Sequence, residues 1–153
     1  VIGVDKSALH KLGEATFSVL FFDIYRSHLY TRSGHYPLKD QQDVLVFEIE
    51  YLKAISAQGL IDRTVEQWQH LSYQPNRYQH YIEQLSRLWP DIVAGDRLLL
   101  KVSNKQSHFY FNGKHIGLLD DEEFGNLFVD IWLSERTSQP KLRLALLKNN
   151  YGK

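Results

Sequence analysis

DDEEFGNLFVDIWLSERTSQPKLRLALL, residues Asp120–Leu147, is the stretch from which the fold can be read outward. Phe124, Leu127, Phe128, Ile131 and Trp132 recur at i, i+3, i+4, i+7 and i+8, which draws one apolar stripe down an α-helix. Asp120 is predicted to cap that helix, with Glu123 closing a capping box and Asp121 and Glu122 in the electropositive first turn. A second, short helix is predicted from Pro140, after Ser138 or Gln139, because a proline loses nothing at the first helical position. Leu142, Ala145 and Leu146 form its apolar side. By pattern alone this is a helical hairpin built to pack, and its stripe requires a broad apolar partner.

That partner has to come from the segments before it. Val1–Leu12 reads as a polar lead punctuated by Gly13. Glu14–Thr31 is rich in β-branched and aromatic residues without a helical period, and is predicted as two strands broken near Phe21–Asp23. Thr31–Gln42 reads as a loop. In Asp43–Tyr51, Leu45, Phe47, Ile49 and Tyr51 alternate with Glu48 and Glu50, the mark of a half-buried antiparallel strand. Asp62 is predicted to cap a helix carrying Val65 and Trp68 and closing at Leu71 or Ser72. A further helix follows Pro75, with Tyr78, Tyr81, Ile82, Leu85, Leu88 and Trp89 on one side. Leu98–Val102 and His108–Phe111 are predicted strands joined by polar Ser103–Ser107. Asn112-Gly113 is a two-residue hairpin signal leading into Lys114–Leu119. Strands, helices, strands, helices, with hairpins and no βαβ repeat, give an α+β class: a large antiparallel sheet with a helical layer on one face, in a single domain over 1–153.

Composition narrows the partners. Lys plus Arg and Asp plus Glu number 18 each, so the chain lacks the basic excess on which phosphate-backbone binding rests. No run approaches the roughly 18 apolar residues of a membrane span. The absence of Cys removes disulfides and thiolate chemistry. The absence of Met and a start at Val1 raise two readings, removal of a secretory leader and simple trimming. The seven histidines show no metal-ligand spacing, and no cofactor or metal is expected. Glycine-rich phosphate loops and a GxSxG elbow are absent. The acidic run Asp120–Glu123 serves a helix start, and Glu48 and Glu50 face away from the core. What stands out is tyrosine: Tyr25, Tyr30, Tyr51, Tyr78, Tyr81 and Tyr110, with Arg26, Arg63, Lys53 and Lys101 as polar tips. Such residues wall a pocket for an apolar ligand with one polar end, and equally let a tyrosine-rich core reach water.

Gly13–Tyr30 (GEATFSVLFFDIYRSHLY), Leu88–Leu100 (LWPDIVAGDRLLL), Phe109–Gly117 (FYFNGKHIG), Phe124–Leu133 (FGNLFVDIWL) and Thr137–Leu147 occur in an order that resembles the chalcone isomerase-like proteins. The ending resembles their bacterial exported branch. The resemblance implies an open-faced β-sandwich in which sheet and helices enclose a cleft. Plant enzymes of the family close a chalcone into a flavanone without a cofactor, and related members bind fatty acids there. The enzymes' Arg on the first strand is not matched, since Glu14, Ala15, Thr16 and Phe17 follow Gly13. Tyr25 stands where they place a Thr. Their Tyr, with a Lys three residues on and an Asn four beyond, is not matched in Ser56–Tyr73. Without the guanidinium the main electrostatic contribution to that reaction is missing, unless Arg26, Arg63 or Lys101 substitutes. The resemblance therefore implies a non-catalytic, periplasmic protein that binds a small apolar or fatty-acyl ligand, with Tyr25, Tyr51, Tyr78, Tyr81 and Arg26 as candidate ligand-binding residues. Two alternatives stay open: a lyase or isomerase using Tyr25 as acid/base, and an interaction module without a cleft ligand. Oligomeric state is not legible.

Overall fold

Among the described residues ten elements follow one another as β1 (His10–Val19), β2 (Phe22–Thr31), β3 (Val44–Tyr51), α1 (Ala57–His70), α2 (Pro75–Leu88), β4 (Arg97–Ser103), β5 (Gln106–Phe111), β6 (Lys114–Leu119), α3 (Phe124–Leu133) and α4 (Pro140–Leu146). The structure is a computed structural model and describes residues 4–150. The six strands pair in chain order, each antiparallel to the next. The inward residues of β3, Leu45, Phe47, Ile49 and Tyr51, share one core with Leu98, Leu100 and Phe109 and with the buried sides of all four helices. The other sheet face carries a small cluster of Val44, Val46 and Leu99, against which Val4 and Leu9 pack. This is the expected α+β fold, open on one face.

The apolar stripe of α3 is buried along its whole length, from Phe124 to Trp132. Its predicted cap is not used. The helix starts at Phe124, and the Asp121 carboxylate, not Asp120, accepts the Glu123 N–H at 2.8 Å in the turn before it. An aspartate two residues before a free N–H competes with the capping geometry and stops the helix from starting earlier.

Helix α1 begins at Ala57, five residues before the predicted Asp62 cap. Ser56 caps it, its hydroxyl accepting the Gly59 N–H at 2.9 Å. Gly59 hides this turn, because the capping box lacks its acidic member and a glycine reads as a break. Strand β1 begins at His10, so Leu12 and Gly13 lie inside the sheet. Gly13 is not punctuation: a Cβ there would stand 2.1 Å from the Ala145 carbonyl oxygen. The end of α4 presses on β1 at that point, and the Asn149 N–H donates to the Leu12 carbonyl at 2.8 Å.

Three hairpins close on two-residue turns. Asn112-Gly113 has the expected positive φ at both residues (50° and 85°). Asn104-Lys105 turns the same way (49° and 65°), so Ser103 and Gln106 belong to strands and not to a connection. The third, Leu20-Phe21, joins β1 to β2 with Leu20 at φ 56°. Near that turn Phe17 pairs with Tyr25 but Ser18 pairs with Asp23, which leaves Ile24 as an extra residue, a β-bulge.

Candidate functional site

Aromatic side chains fill the space between sheet and helices unevenly. At one end, Phe124 contacts Tyr81, Phe109 and Phe128 with ring centroids 5.0, 6.0 and 5.7 Å apart. Toward the β1–β2 tip the layer opens into a cleft of about 260 Å³. Its sheet wall comes from Phe17, Ile24, Tyr25, Tyr51 and Leu98. The helical wall comes from Leu60, Arg63, Thr64 and Gln67 of α1 and from Phe128, Ile131 and Trp132 of α3, with Trp89 between them. Strand alternation allows only every second residue of β2 to face inward. The bulge relaxes that rule and lets Ile24 and Tyr25 line the cleft together.

Tyr25 is the best-connected residue of the sheet wall. Its ring stacks on Phe17 (centroids 5.1 Å) and meets Tyr51 edge-on (5.9 Å). Its hydroxyl accepts the Trp132 indole N–H at 2.8 Å. Burial pushes its pKa up to about 12, opposed by the Trp132 hydrogen bond and the charge of Arg63. Tyr51 is pushed up further by its own burial and by Tyr25. Both phenols therefore keep their protons at neutral pH. A general base at Tyr25 would need a cation in hydrogen-bond contact with its oxygen; the contact made among the described residues is to the indole.

The rim is cationic. Lys53 and Arg63 line the cleft and are exposed. The Arg63 guanidinium lies 5.8 Å from the Phe17 ring centroid and 3.6 Å from the Glu66 carboxylate. An ion pair so exposed contributes little, so Arg63 can exchange Glu66 for a ligand anion at small loss. Trp89 also lines the cleft, and its buried indole N–H has no hydrogen-bond partner among the described residues.

Of the candidate ligand-binding residues, Tyr25 and Tyr51 lie in the cleft wall. Tyr78 and Tyr81 do not. They point from α2 into the packed end, where Trp68 stacks on Tyr78 at 5.2 Å and sits 6.5 Å from Tyr81. Arg26 follows Tyr25 on β2 and so faces the other side of the sheet, 3.5 Å from Glu50. Lys101, paired in register with outward Val46, is on that side too. Arg63 is the one of the three possible substitute cations that reaches the cleft. Leu60, Arg63 and Gln67 stand at the spacing of the enzymes' Tyr–Lys–Asn set and all line the cleft, with other side chains. A search by spacing and charge, with residue type relaxed, would have found them. Trp132 was legible as core, but not as the donor to Tyr25.

Among the described residues, no cluster of three or more His, Cys, Asp or Glu could hold a metal ion, and no helix is long and apolar enough to cross a membrane.

Comparison with known proteins follows the same lines. A family model described as chalcone isomerase-like matches residues 2–148. An uncharacterized protein of Haemophilus influenzae is 21 % identical over 136 residues, covering 89 % of this chain; the chain spans 66 % of that relative's length. The crystal structure of an Arabidopsis thaliana fatty-acid binding protein superposes with a TM-score of 0.72 at 11 % identity, over 97 % of this chain and 91 % of that one.

Proposed function

The chain belongs to the chalcone isomerase-like family, and from that premise we propose that it is a non-catalytic binding protein that takes a small apolar or fatty-acyl ligand in the cleft between sheet and helices. One observation carries the reading: a cleft walled by Phe17, Tyr25, Tyr51, Phe128 and Trp132 whose exposed rim holds Lys53 and Arg63. That is an apolar body with a cationic edge, complementary to an acyl chain ending in a carboxylate. A fatty-acid binding protein of the same fold supports the choice of ligand. The volume, about 260 Å³, is just under the roughly 300–1,000 Å³ of sites for drug-sized ligands. It suits a short or medium chain, or the first part of a longer one.

Calorimetric titration with saturated fatty acids of increasing length tests this. Each buried CH₂ contributes about 0.8 kcal/mol, so affinity should rise about tenfold for each two carbons and then level off once the cleft is full. Arg63→Gln should weaken the acids and leave the matching alcohols nearly unchanged. A flat series with no heat from any chain length would reject the proposal in favour of an interaction module.

The lack of the enzymes' Arg and of their Tyr–Lys–Asn set, together with a Tyr25 that holds its proton, supports the absence of isomerase activity. Purified protein should close chalcones no faster than buffer. A stereoselective rate abolished by Tyr25→Phe would establish an enzyme instead.

We also propose that the protein belongs to the bacterial exported branch and works in the periplasm. A chain free of Cys is compatible with that oxidising compartment. A full reading frame that starts beside Val1 with no apolar leader would refute the location.

A further inference from the structure

We propose that the tip of the β1–β2 hairpin docks the protein on a lipid bilayer, with Leu20 and Phe21 entering the acyl layer. Four successive apolar residues stand in the open there: Val19 is 48 % exposed, Leu20 87 %, Phe21 97 % and Phe22 58 %. Single exposed apolar side chains are ordinary, whereas a run of four at one protruding end marks an interaction site. The backbone sharpens the point. Leu20 holds φ 56°, where Asn and Gly are at ease and a bulky branched residue is not. The two other two-residue turns of the sheet do carry Asn at their first position, Asn104 and Asn112. At Leu20 the chain keeps a large apolar residue against the local preference of the turn.

Shape and charge select the partner. The tip of a tight hairpin is convex and sends its side chains outward in several directions. A deformable apolar medium receives such a wedge directly, while a protein would need a pocket moulded to it. Lys53 stands behind the wedge with its ammonium 5.1 Å from the Phe22 ring centroid, and it joins no ion pair among the described residues. Arg63 lies further back, over Phe17. The acid on the tip, Asp23, accepts the Ser18 hydroxyl at 2.6 Å and keeps its charge, which offsets part of the attraction of Lys53 for an anionic surface. Apolar residues in front with cations at headgroup depth is the arrangement of proteins that lie on membranes. The same hairpin continues into the cleft wall through Phe17 and Ile24, so the cationic rim and the wedge adjoin. The proposal goes beyond the ligand reading and stands without it, because the tip is exposed whether or not the cleft is filled.

Cosedimentation with extruded vesicles tests it, using phosphatidylcholine alone and phosphatidylcholine mixed with phosphatidylglycerol. The full chain should bind both, and prefer the anionic mixture by less than the about fivefold that one cation alone would give, because Asp23 on the tip opposes it. Leu20→Asn together with Phe21→Ser should weaken binding to both by at least about tenfold, since two large side chains lose their burial. Its thermal midpoint should be unchanged or slightly higher, because Asn suits the backbone at position 20 better than Leu does. A Phe21→Trp variant should be quenched by brominated phospholipid. The proposal is overturned if the parent protein does not sediment, if the double variant binds equally well, or if the new tryptophan is not quenched. It is also overturned if the parent forms concentration-dependent oligomers that the double variant abolishes, which would give the tip to a second copy of the chain.

Discussion

The two ends of the aromatic layer are built from the same kinds of residue, and from the same helix, yet one is full and the other hollow. α3 sends Phe124 to the packed end, where Phe109, Tyr81 and Phe128 close round it and leave it no exposure. Two turns later it sends Ile131 and Trp132 to the cleft. At the packed end ring meets ring across the gap between sheet and helices. At the cleft end α3 still reaches the sheet, Trp132 meeting the Phe47 ring at 4.6 Å and the Tyr25 hydroxyl. Tyr25 and Tyr51 otherwise lean on each other and on Phe17 along the sheet, and α1 offers them Leu60 and Thr64, which are too small to reach across. The cleft thus follows from a mismatch in side-chain size between facing elements.

The strongest test of that contrast is removal of a ring from each end. Phe124→Ala should destabilise by about 3–5 kcal/mol in denaturant titration, the usual effect of deleting a large buried aromatic. Trp132→Ala should fall toward the lower side of the same range, because its indole already borders open space. Equal losses, or a larger one at Trp132, would mean that the cleft end is packed as tightly as the other.

Adding atoms should keep the ranking and widen the gap between the two ends. Leu85→Phe, at a fully buried position of α2, should destabilise by about 1–3 kcal/mol through overpacking. Leu60→Phe should change stability by less than about 1 kcal/mol, because the new ring enters the cleft, and it should abolish binding of the acyl series. Retention of ligand by a stable Leu60→Phe protein would place the binding site elsewhere.

A smaller effect at the cleft end depends on pH. Tyr25 has a folded-state pKa of about 12 against 10.0 for the free side chain, a raised value. The stability that comes from keeping it neutral is whole below about pH 10 and is lost as pH rises from there through about 12. Tyr25→Phe should therefore flatten part of the alkaline fall in the unfolding midpoint, as well as removing a hydrogen bond worth about 1 kcal/mol at neutral pH. An unchanged alkaline profile would show that the fall arises at other tyrosines.

How far the sequence could be read follows from the range of the interactions involved. The α3 stripe and the β3 alternation were legible because periodicity reflects burial on one face, and one face is what each element has. The Asn112-Gly113 turn was legible because its backbone demands are local. Ser56 as cap was hidden by a glycine, and β1 by a polar edge, since His10 and Lys11 are exposed while Leu12 is not. The cleft was harder. Tyr25 and Tyr81 look alike as residues on apolar faces, and what separates them is the size of whatever stands opposite, which belongs to another element. Arg26 and Arg63 differ in the same way: alternation turns Arg26 outward, and only the docking of α1 brings Arg63 over Phe17.

The bulges of the β1–β2 hairpin bear on how such a cleft could change in size. Leu12 on β1 and Ile24 on β2 are each unpaired, and the five pairs between them, from Gly13 opposite Leu29 to Phe17 opposite Tyr25, keep strict alternation. Excising Ile24 would bring Asp23 next to Tyr25 and leave Ser18 opposite Asp23, outward beside an inward Phe17, with no strand turned over. The cleft would lose one wall residue and the hairpin its extra twist, while the sheet kept its phase. Here chain length is a design variable in its own right: a deletion of one codon could narrow the chamber where a substitution would have to repack it.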